Sequence, residues 1–460
     1  MSAAADFIAL ADKIRRLRGF AEWSSDGLWT PTRHLVFLAD RIQRRIELAR
    51  AGDKKNILII QAPPRHGKSE LTSKRLPAWF LSRWPREQVI LASYGHDFAR
   101  VWGRRVRDVI EAKSKLLGIK ISSAQSSASD WELETGGGMA TTGIGGPLTG
   151  RGAKLLIVDD PIKNAEEAES PAIRESHWDW WQTTASTRIE PGGCAIVMMT
   201  RWNRDDLIGR IQANQPDQCE VISLPAISGE VDALGRGPGE PLWPERWPIH
   251  ALRAKETSMA RSWWAAMYQQ DPIASGETEF LSKWFTDAWF EQWPLNMIVK
   301  TMSLDPSKGK NDKKADYQAV IKLGIDSSDT LYVQADMKRR PIGQMIADTV
   351  DIYRDWQPHA FGLECNSWQD LLAPDFAEEF TRQGVLAPEV WQINNTVNKQ
   401  VRIRRLAGYL ANGRMRFKKD CPGTKILVDQ LIDFPSGSHD DGPDALEMAI
   451  RLAEQLCNGT

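Results

Sequence analysis

Residues 57–69, ILIIQAPPRHGKS, join an apolar run to a loop whose residue types suit the binding of phosphate. Ala62-Pro63-Pro64-Arg65-His66-Gly67-Lys68-Ser69 fits the spacing G-x-x-x-x-G-K-[ST] at every fixed position but the first, where Ala62 stands for Gly. In such a loop, backbone N–H groups and the N-terminus of the next helix cradle phosphate oxygens. Pro64, Arg65, His66 and Gly67 form the turn around the nucleotide, Lys68 is placed for the β- and γ-phosphates, and Ser69 for Mg²⁺. A GKS turn alone is commonplace. The strand before it and the helix after it are the context the motif requires, and ATP is the expected ligand.

A nucleotide hydrolase also needs carboxylates at a second strand end, and Lys154-Leu155-Leu156-Ile157-Val158-Asp159-Asp160 supplies them. Asp159 would hold Mg²⁺, directly or through water. The residue that activates the attacking water is open: Asp160 is adjacent, while Glu166 and Glu167 lie a short loop away. Thr200-Arg201-Trp202, after CAIVMM, is placed to sense the γ-phosphate. Arg65, or Arg151 in TGRG, is the candidate arginine finger.

The C-terminal half holds a different set. Asp305 ends IVKTMSLD, Glu364 ends HAFGLE, and His439-Asp440-Asp441-Gly442-Pro443-Asp444 opens the last helical stretch. Each acid alone reads as a cap or a surface group. In this order they make the arrangement of a ribonuclease H-like nuclease, which gathers two Mg²⁺ or Mn²⁺ ions roughly 4 Å apart. Asp316 is a possible accessory, and the absence of His/Cys ligand spacing argues against zinc. Arg402, Arg404 and Arg405, then Arg414, Arg416, Lys418 and Lys419, and Lys308, Lys310, Lys313 and Lys314, could neutralise DNA phosphates, as could Arg100, Arg104, Arg105 and Arg107 in the first half.

The elements that must position these groups are those of an α/β chain. Apolar runs at 57–60, 89–92, 155–158 and 195–199 alternate with helical stretches at 70–84 and 97–115, which suits a parallel sheet. Residues 225–250 are rich in Gly and Pro and end the first domain, 1–250. Residues 251–298 read as a helical, Trp-rich linker. A second α/β domain, 299–460, carries strands near 298–305, 318–324, 330–336 and 359–364 and helices at 342–355, 367–383, 398–412 and 443–456. The 460 residues, 42% hydrophobic and 26% charged, are ordinary for a globular chain of two domains. A net charge of −1 confines any nucleic-acid site to a local patch. No run of 18 apolar residues occurs, so no membrane span is expected, and the N-terminal 20 residues read as an amphipathic helix rather than a signal peptide. Five scattered cysteines suggest a reduced, cytoplasmic setting, and most of the twenty tryptophans suit core packing.

A phosphate-loop ATPase followed by a ribonuclease H-like nuclease resembles the large terminase subunit of tailed bacteriophages. The resemblance runs from about residue 29 to 452, through QAPPRHGKSE, ASYGHDFAR, IVDDPIKNAEEAES, MMTRWNRDDLIGRI, YQQDP at 268–272, SLDPSKGK and HDDGPDALEMA. It implies that Lys68 and Ser69 are the phosphate-loop pair, Asp159 the acidic-strand metal residue and Thr200 part of the coupling motif. It implies nuclease metals at Asp305, Glu364 and Asp441, with the shares of Asp440 and Asp444 left open. Trp29-Thr30-Pro31 and His34 resemble the adenine-side segment. Implied partners are double-stranded DNA, a small terminase subunit and the portal protein of the procapsid, on which the subunits form a ring in the host cytoplasm. Two departures stand out. Ala62 opens the loop, and Asp160 stands where many relatives have Glu. A free ATP-dependent translocase or helicase-nuclease, and an ATPase with a non-catalytic C-terminal docking module, are the rival readings.

Overall fold

Ile57, Leu58, Ile59 and Ile60 offer no polar face, so the run is stable only when covered on both sides, as in a parallel sheet under helices. A computed structural model places it there. The structure describes residues 3–146, 148, 150–272, 279–306, 316–364, 369–435, 437 and 439–458. These fall into two compact units: Met1–Ala254 with Ser262–Ile273, and Lys255–Arg261 with Ala274–Thr460. Lys308, Lys310, Lys313, Lys314 and Cys365 lie outside the described residues.

The first unit is built on β1 (Ile57–Gln61), β2 (Gln88–Ser93), β3 (Ile121–Ser126), β4 (Asp130–Leu133), β5 (Gly138–Gly143), β6 (Ala153–Asp159), β7 (Ile189–Met199) and β8 (Cys219–Ser223). Their order is β3-β4-β5-β2-β6-β7-β1-β8. From β5 to β8 every pairing is parallel, and β3 and β4 extend the edge antiparallel. Alternate residues serve opposite faces. Leu58 and Ile60 join one buried cluster with the helices Leu17–Ser24, Arg33–Arg50, Leu76–Arg83 and His96–Leu117. Ile57 and Ile59 join the other, with Trp180, Trp181 and the helix Leu207–Asn214.

The strand order decides the chemistry. β7 lies between β1 and β6, so the phosphate loop, the acidic strand end and Thr200 all emerge at the carboxyl ends of adjacent parallel strands. In open α/β sheets the carboxyl ends of the strands are where ligands bind.

The second unit carries β9 (Trp289–Phe290), β10 (Met297–Asp305), β11 (Gln318–Asp326), β12 (Leu331–Lys338), β13 (Ala360–Glu364), β14 (Val390–Ile393) and β15 (Met415–Lys418), ordered β14-β13-β10-β11-β12-β15-β9. β10, β11 and β12 form an antiparallel meander, and β13 and β14 add parallel to β10. That is the ribonuclease H-like plan. Met302 and Leu304 face a cluster with the helices Ile342–Trp356 and Gln369–Arg382. Thr301 and Ser303 face the opposite way and donate their hydroxyls to Ala449 O (2.8 Å) and Ala445 O (2.6 Å) of the final helix, Asp441–Asn458. By the same alternation Asp305 looks toward the start of that helix.

Residues 251–298 are helical at Ile249–Ser258 and from Arg261 to Tyr268, form a short turn at Ser282–Phe285 and then supply β9. Trp79, Trp131 and Trp181 are among the largest fully buried side chains, as core packing requires. The basic stretch after 398 divides in a way its charge did not announce. Arg402 and Arg404 are buried, Arg402 against Asp444 and Arg404 against Glu279, so neither can serve as a surface phosphate contact. Arg405 is exposed.

Candidate functional site

The phosphate loop leaves β1 at Ala62, which stays out of the left-handed region, so Ala is accommodated where the motif has Gly. Gly67 has φ +82°, a conformation that suits Gly, and a Cβ there would meet Leu35 Cδ1 at 3.0 Å. Arg65 is exposed at the tip with φ +62°. His66 turns inward: Nδ1 contacts Pro64 O (2.8 Å) and the ring stacks on Trp247. Its carbonyl is held by His34 Nε2 at 2.9 Å. Burial pulls the His66 pKa down to about 3, so it braces the loop as a neutral ring. The helix after the loop opens with a wide π-helical turn, Glu70–Arg75, a deviation common at functional sites.

Lys68 is buried, and its Nζ bonds Thr200 Oγ1, lies 3.3 Å from Ala62 O and pairs with Asp160 Oδ2 at 3.2 Å. Asp160 has φ +42°, and its Oδ1 accepts from Thr200 N at 2.9 Å. Asp159 is fully buried and accepts from Ser69 Oγ (3.1 Å) and Ser73 Oγ (2.6 Å). Burial, then the charge of Asp160, raises its pKa. Ser69, Asp159 and Asp160 thus form one oxygen-rich patch beside Lys68. Hard oxygen donors of this kind fit Mg²⁺.

Glu167 is bonded within its own helix start. Its carboxylate accepts from Lys163 N (2.9 Å) while the N-cap residue Asn164 accepts from Glu167 N (3.0 Å), which ties down the start of the helix Ala165–Glu169. Glu166 is exposed on the same first turn. Arg151 is engaged by Asp130 through two 2.7 Å bonds. Trp29 is buried in the core.

Thr200 is followed by Arg201, whose guanidinium pairs with buried Asp206 at 2.8 Å. Arg201 N donates to Gln270 Oε1 (3.4 Å). Gln269 bonds both Ile227 N (3.1 Å) and Ile227 O (3.0 Å), and Arg204 Nε reaches Pro272 O at 2.7 Å. The YQQDP segment is therefore clamped to the residues that follow β7 and β8.

In the second unit the register pairs Leu304 with Leu363, which sets Asp305 and Glu364 side by side at the ends of parallel strands. Gly362 keeps the final helix close: a Cβ there would lie 2.5 Å from Leu452 Cδ1. Asp305 is buried, and burial, then the charge of Glu364, pushes its pKa up to about 8, with Asp441 and Asp444 adding to the rise and Lys399 opposing it. Asp441 accepts from Tyr317 N at 3.0 Å. Glu364 Oε1 accepts from Asn395 Nδ2 at 2.7 Å. Asp444 accepts from Arg402 through both oxygens, and Asp440 pairs with Lys399 at 2.7 Å. Asp316 and His439 join Asp441 in a group whose ligand atoms lie within 4.8 Å of one another. Crowded, mutually raising carboxylates fit divalent cations.

Residues 59–302, more than half of the chain, match the family model of the terminase large subunit, T4likevirus-type, N-terminal. The chain belongs to the terminase large subunits. No curated protein matches it. Among solved structures this terminase is similar to the HK97 bacteriophage large terminase, at 15% identity, covering 95% of this chain and 99% of that one with TM-score 0.40. It is similar to the large terminase of the thermophilic bacteriophage D6E in complex with ATP-gamma-S, at 10% identity, 88% and 97% coverage and TM-score 0.46. It is also similar to a mutant nuclease domain of the bacterial virus Sf6 large terminase subunit with manganese, at 11% identity, 38% and 99% coverage and TM-score 0.27.

Sequence reasoning about this terminase missed Ser73 and Lys399. Ser73 was readable as the residue one turn beyond Ser69. Lys399 sat in a basic run that gave no sign which cation turns inward.

Proposed function

We propose that this chain is the ATP-driven motor of viral DNA packaging and that its C-terminal unit cuts concatemeric double-stranded DNA. The observation that carries the reading is the contact of Lys68, Asp160 and Thr200 at the carboxyl ends of adjacent strands in a terminase large subunit whose second unit gathers a separate carboxylate cluster. Lys68 contacts both Asp160 and Thr200. With ATP bound, Lys68 would bind the phosphates and Asp160 Oδ2 would orient the attacking water. Asp160 is favoured over Glu166 and Glu167 because it alone of the three is seen bonded to the loop lysine. Arg65 is favoured over Arg151 as the arginine finger because Arg151 is held by Asp130.

Ser69 and Asp159 are the residues that would hold Mg²⁺ with ATP. Thr200 and Arg201 report the state of the phosphate to residues 268–272, and through them to the 251–298 linker. In the nuclease, Asp305, Glu364 and Asp441 would hold Mg²⁺ or Mn²⁺, with Asp440 at the rim and Asp444 kept to its arginine. Bound ions there would activate a water and stabilise the leaving oxygen. The partners are the portal protein, a small terminase subunit that chooses the first cut, and sibling subunits in a ring in the host cytoplasm. Among the described residues no helix is long and apolar enough to cross a membrane.

Purified procapsids, DNA and this chain should yield ATP-dependent protection of DNA from nuclease digestion. Absence of protection, with ATP hydrolysis intact, would favour a free translocase.

A further inference from the structure

Lys399 reaches into the carboxylate cluster of the second unit. Asn398 caps the helix Lys399–Arg404 by accepting from Gln400 N at 2.9 Å, which fixes where the helix starts and so where the Lys399 side chain begins. Lys399 Nζ lies 2.7 Å from Asp440 Oδ1, 3.8 Å from Asp441 Oδ1 and 3.8 Å from Asp444 Oδ2. Its charge also acts on Asp305. Asp444 already has a guanidinium of its own in Arg402, and both side chains of that pair are almost wholly buried. The ammonium is therefore not needed there as a private partner. It is shared among acids that come from one short stretch, at the place where a divalent cation would be bound.

An ammonium and a divalent ion compete for the same oxygens. We propose that Lys399 is a built-in stand-in for the metal. Without divalent cation it holds the acids of the cluster against their mutual repulsion. When a cation binds, its flexible stem, with the side chain about one-third exposed, swings toward solvent. The residue thereby lowers metal affinity while keeping the empty site folded. This rests on the reading of Asp305, Glu364 and Asp441 as a metal site. Lys399 touches carboxylates, so its role is positioning.

The test uses the full chain with Lys399→Met and Lys399→Gln, titrated with Mn²⁺ by calorimetry, together with thermal midpoints in EDTA and in Mn²⁺. Removing one unit charge beside the ion should tighten Mn²⁺ binding by about tenfold. The midpoint in EDTA should fall, and Mn²⁺ should restore it to the wild-type metal-bound value. Unchanged or weaker Mn²⁺ binding would overturn the proposal, as would an equal loss of midpoint with and without Mn²⁺, the mark of ordinary packing. Lost plasmid cleavage at unchanged Mn²⁺ affinity would put the ammonium on a DNA phosphate instead, and would also overturn it. The Gln variant keeps the test open if the Met variant fails to fold. A wild-type chain that bound no Mn²⁺ would overturn the metal reading and this one together. Binding by wild type with no change in the variants would overturn this one alone.

Discussion

In the first unit Lys68 meets one carboxylate, Asp160, and two neutral oxygens, those of Thr200 and Ala62. In the second, Lys399 meets the carboxylates of Asp440, Asp441 and Asp444. Both lysines are partly or wholly withdrawn from water, and both lie beside an aspartate whose pKa burial has raised, Asp159 in one case and Asp305 in the other. The balance differs. Around Lys68 the loop adds backbone donors and Arg65, so the site gains from an incoming anion. Around Lys399 acceptors outnumber the cation, so the site gains from an incoming metal ion. On the proposed function, the same side chain, placed in two ratios of donor to acceptor, prepares opposite ligands.

The comparison breaks most sharply under single substitutions. Lys68→Ala should lower ATP hydrolysis by roughly a hundredfold or more while leaving DNA cleavage intact, measured by phosphate release and plasmid nicking on one preparation. Retained hydrolysis would sink the loop assignment. Asp305→Ala should do the reverse, abolishing Mn²⁺-dependent cleavage and sparing hydrolysis. Persistent cleavage would remove Asp305 from the metal set.

Next in size is Asp444→Asn. It leaves buried Arg402 with only the more distant carboxylate of Glu447, at 3.7 Å, and should cost about 3 kcal/mol, read by denaturant titration with and without Mn²⁺. If the loss appeared only with Mn²⁺ present, Asp444 would be a metal ligand rather than the partner of Arg402.

The smallest effect concerns acid stability. His66 has a folded pKa near 3, below its unfolded value, so the folded chain takes up fewer protons than the unfolded one as pH falls. Its contribution is intact above about pH 6.5 and is lost as pH drops toward 3, reaching about 1.4 kcal/mol by pH 5.5. His66→Gln should flatten that part of the stability curve of the first unit. An unchanged acid limb would mean that His66 does not stay neutral under the loop.

Legibility in the sequence followed contiguity. The phosphate loop was readable because strand, turn and helix are consecutive residues, and Asp159 because it ends an unbroken apolar run. Asp305 and Glu364 were readable as strand ends for the same reason. The polar hairpin ISSAQSSASDWEL gave no apolar alternation to mark β3 and β4, since β3 lies at an exposed sheet edge. The four-residue strands β14 and β15 were too brief to stand out, and β8, CEVIS, is interrupted by Glu220. Arg402 and Lys399 belong to one helix and one basic run, and only tertiary contacts with the final helix decide which pairs with Asp444 and which is shared among several acids.

One consequence follows from β7 lying between β1 and β6. Thr200 and Arg201 are consecutive, so the Thr200 Cα that carries the hydroxyl bonded to Lys68 and the amide N–H bonded to Gln270 belong to one peptide plane. A rigid plane cannot tilt at one end alone. Where the Thr200 backbone moves with its hydroxyl, the amide moves against a glutamine held in a left-handed turn at φ +59°. On the proposed function, the shortest covalent link between phosphate sensing and the 268–272 segment is then one peptide plane.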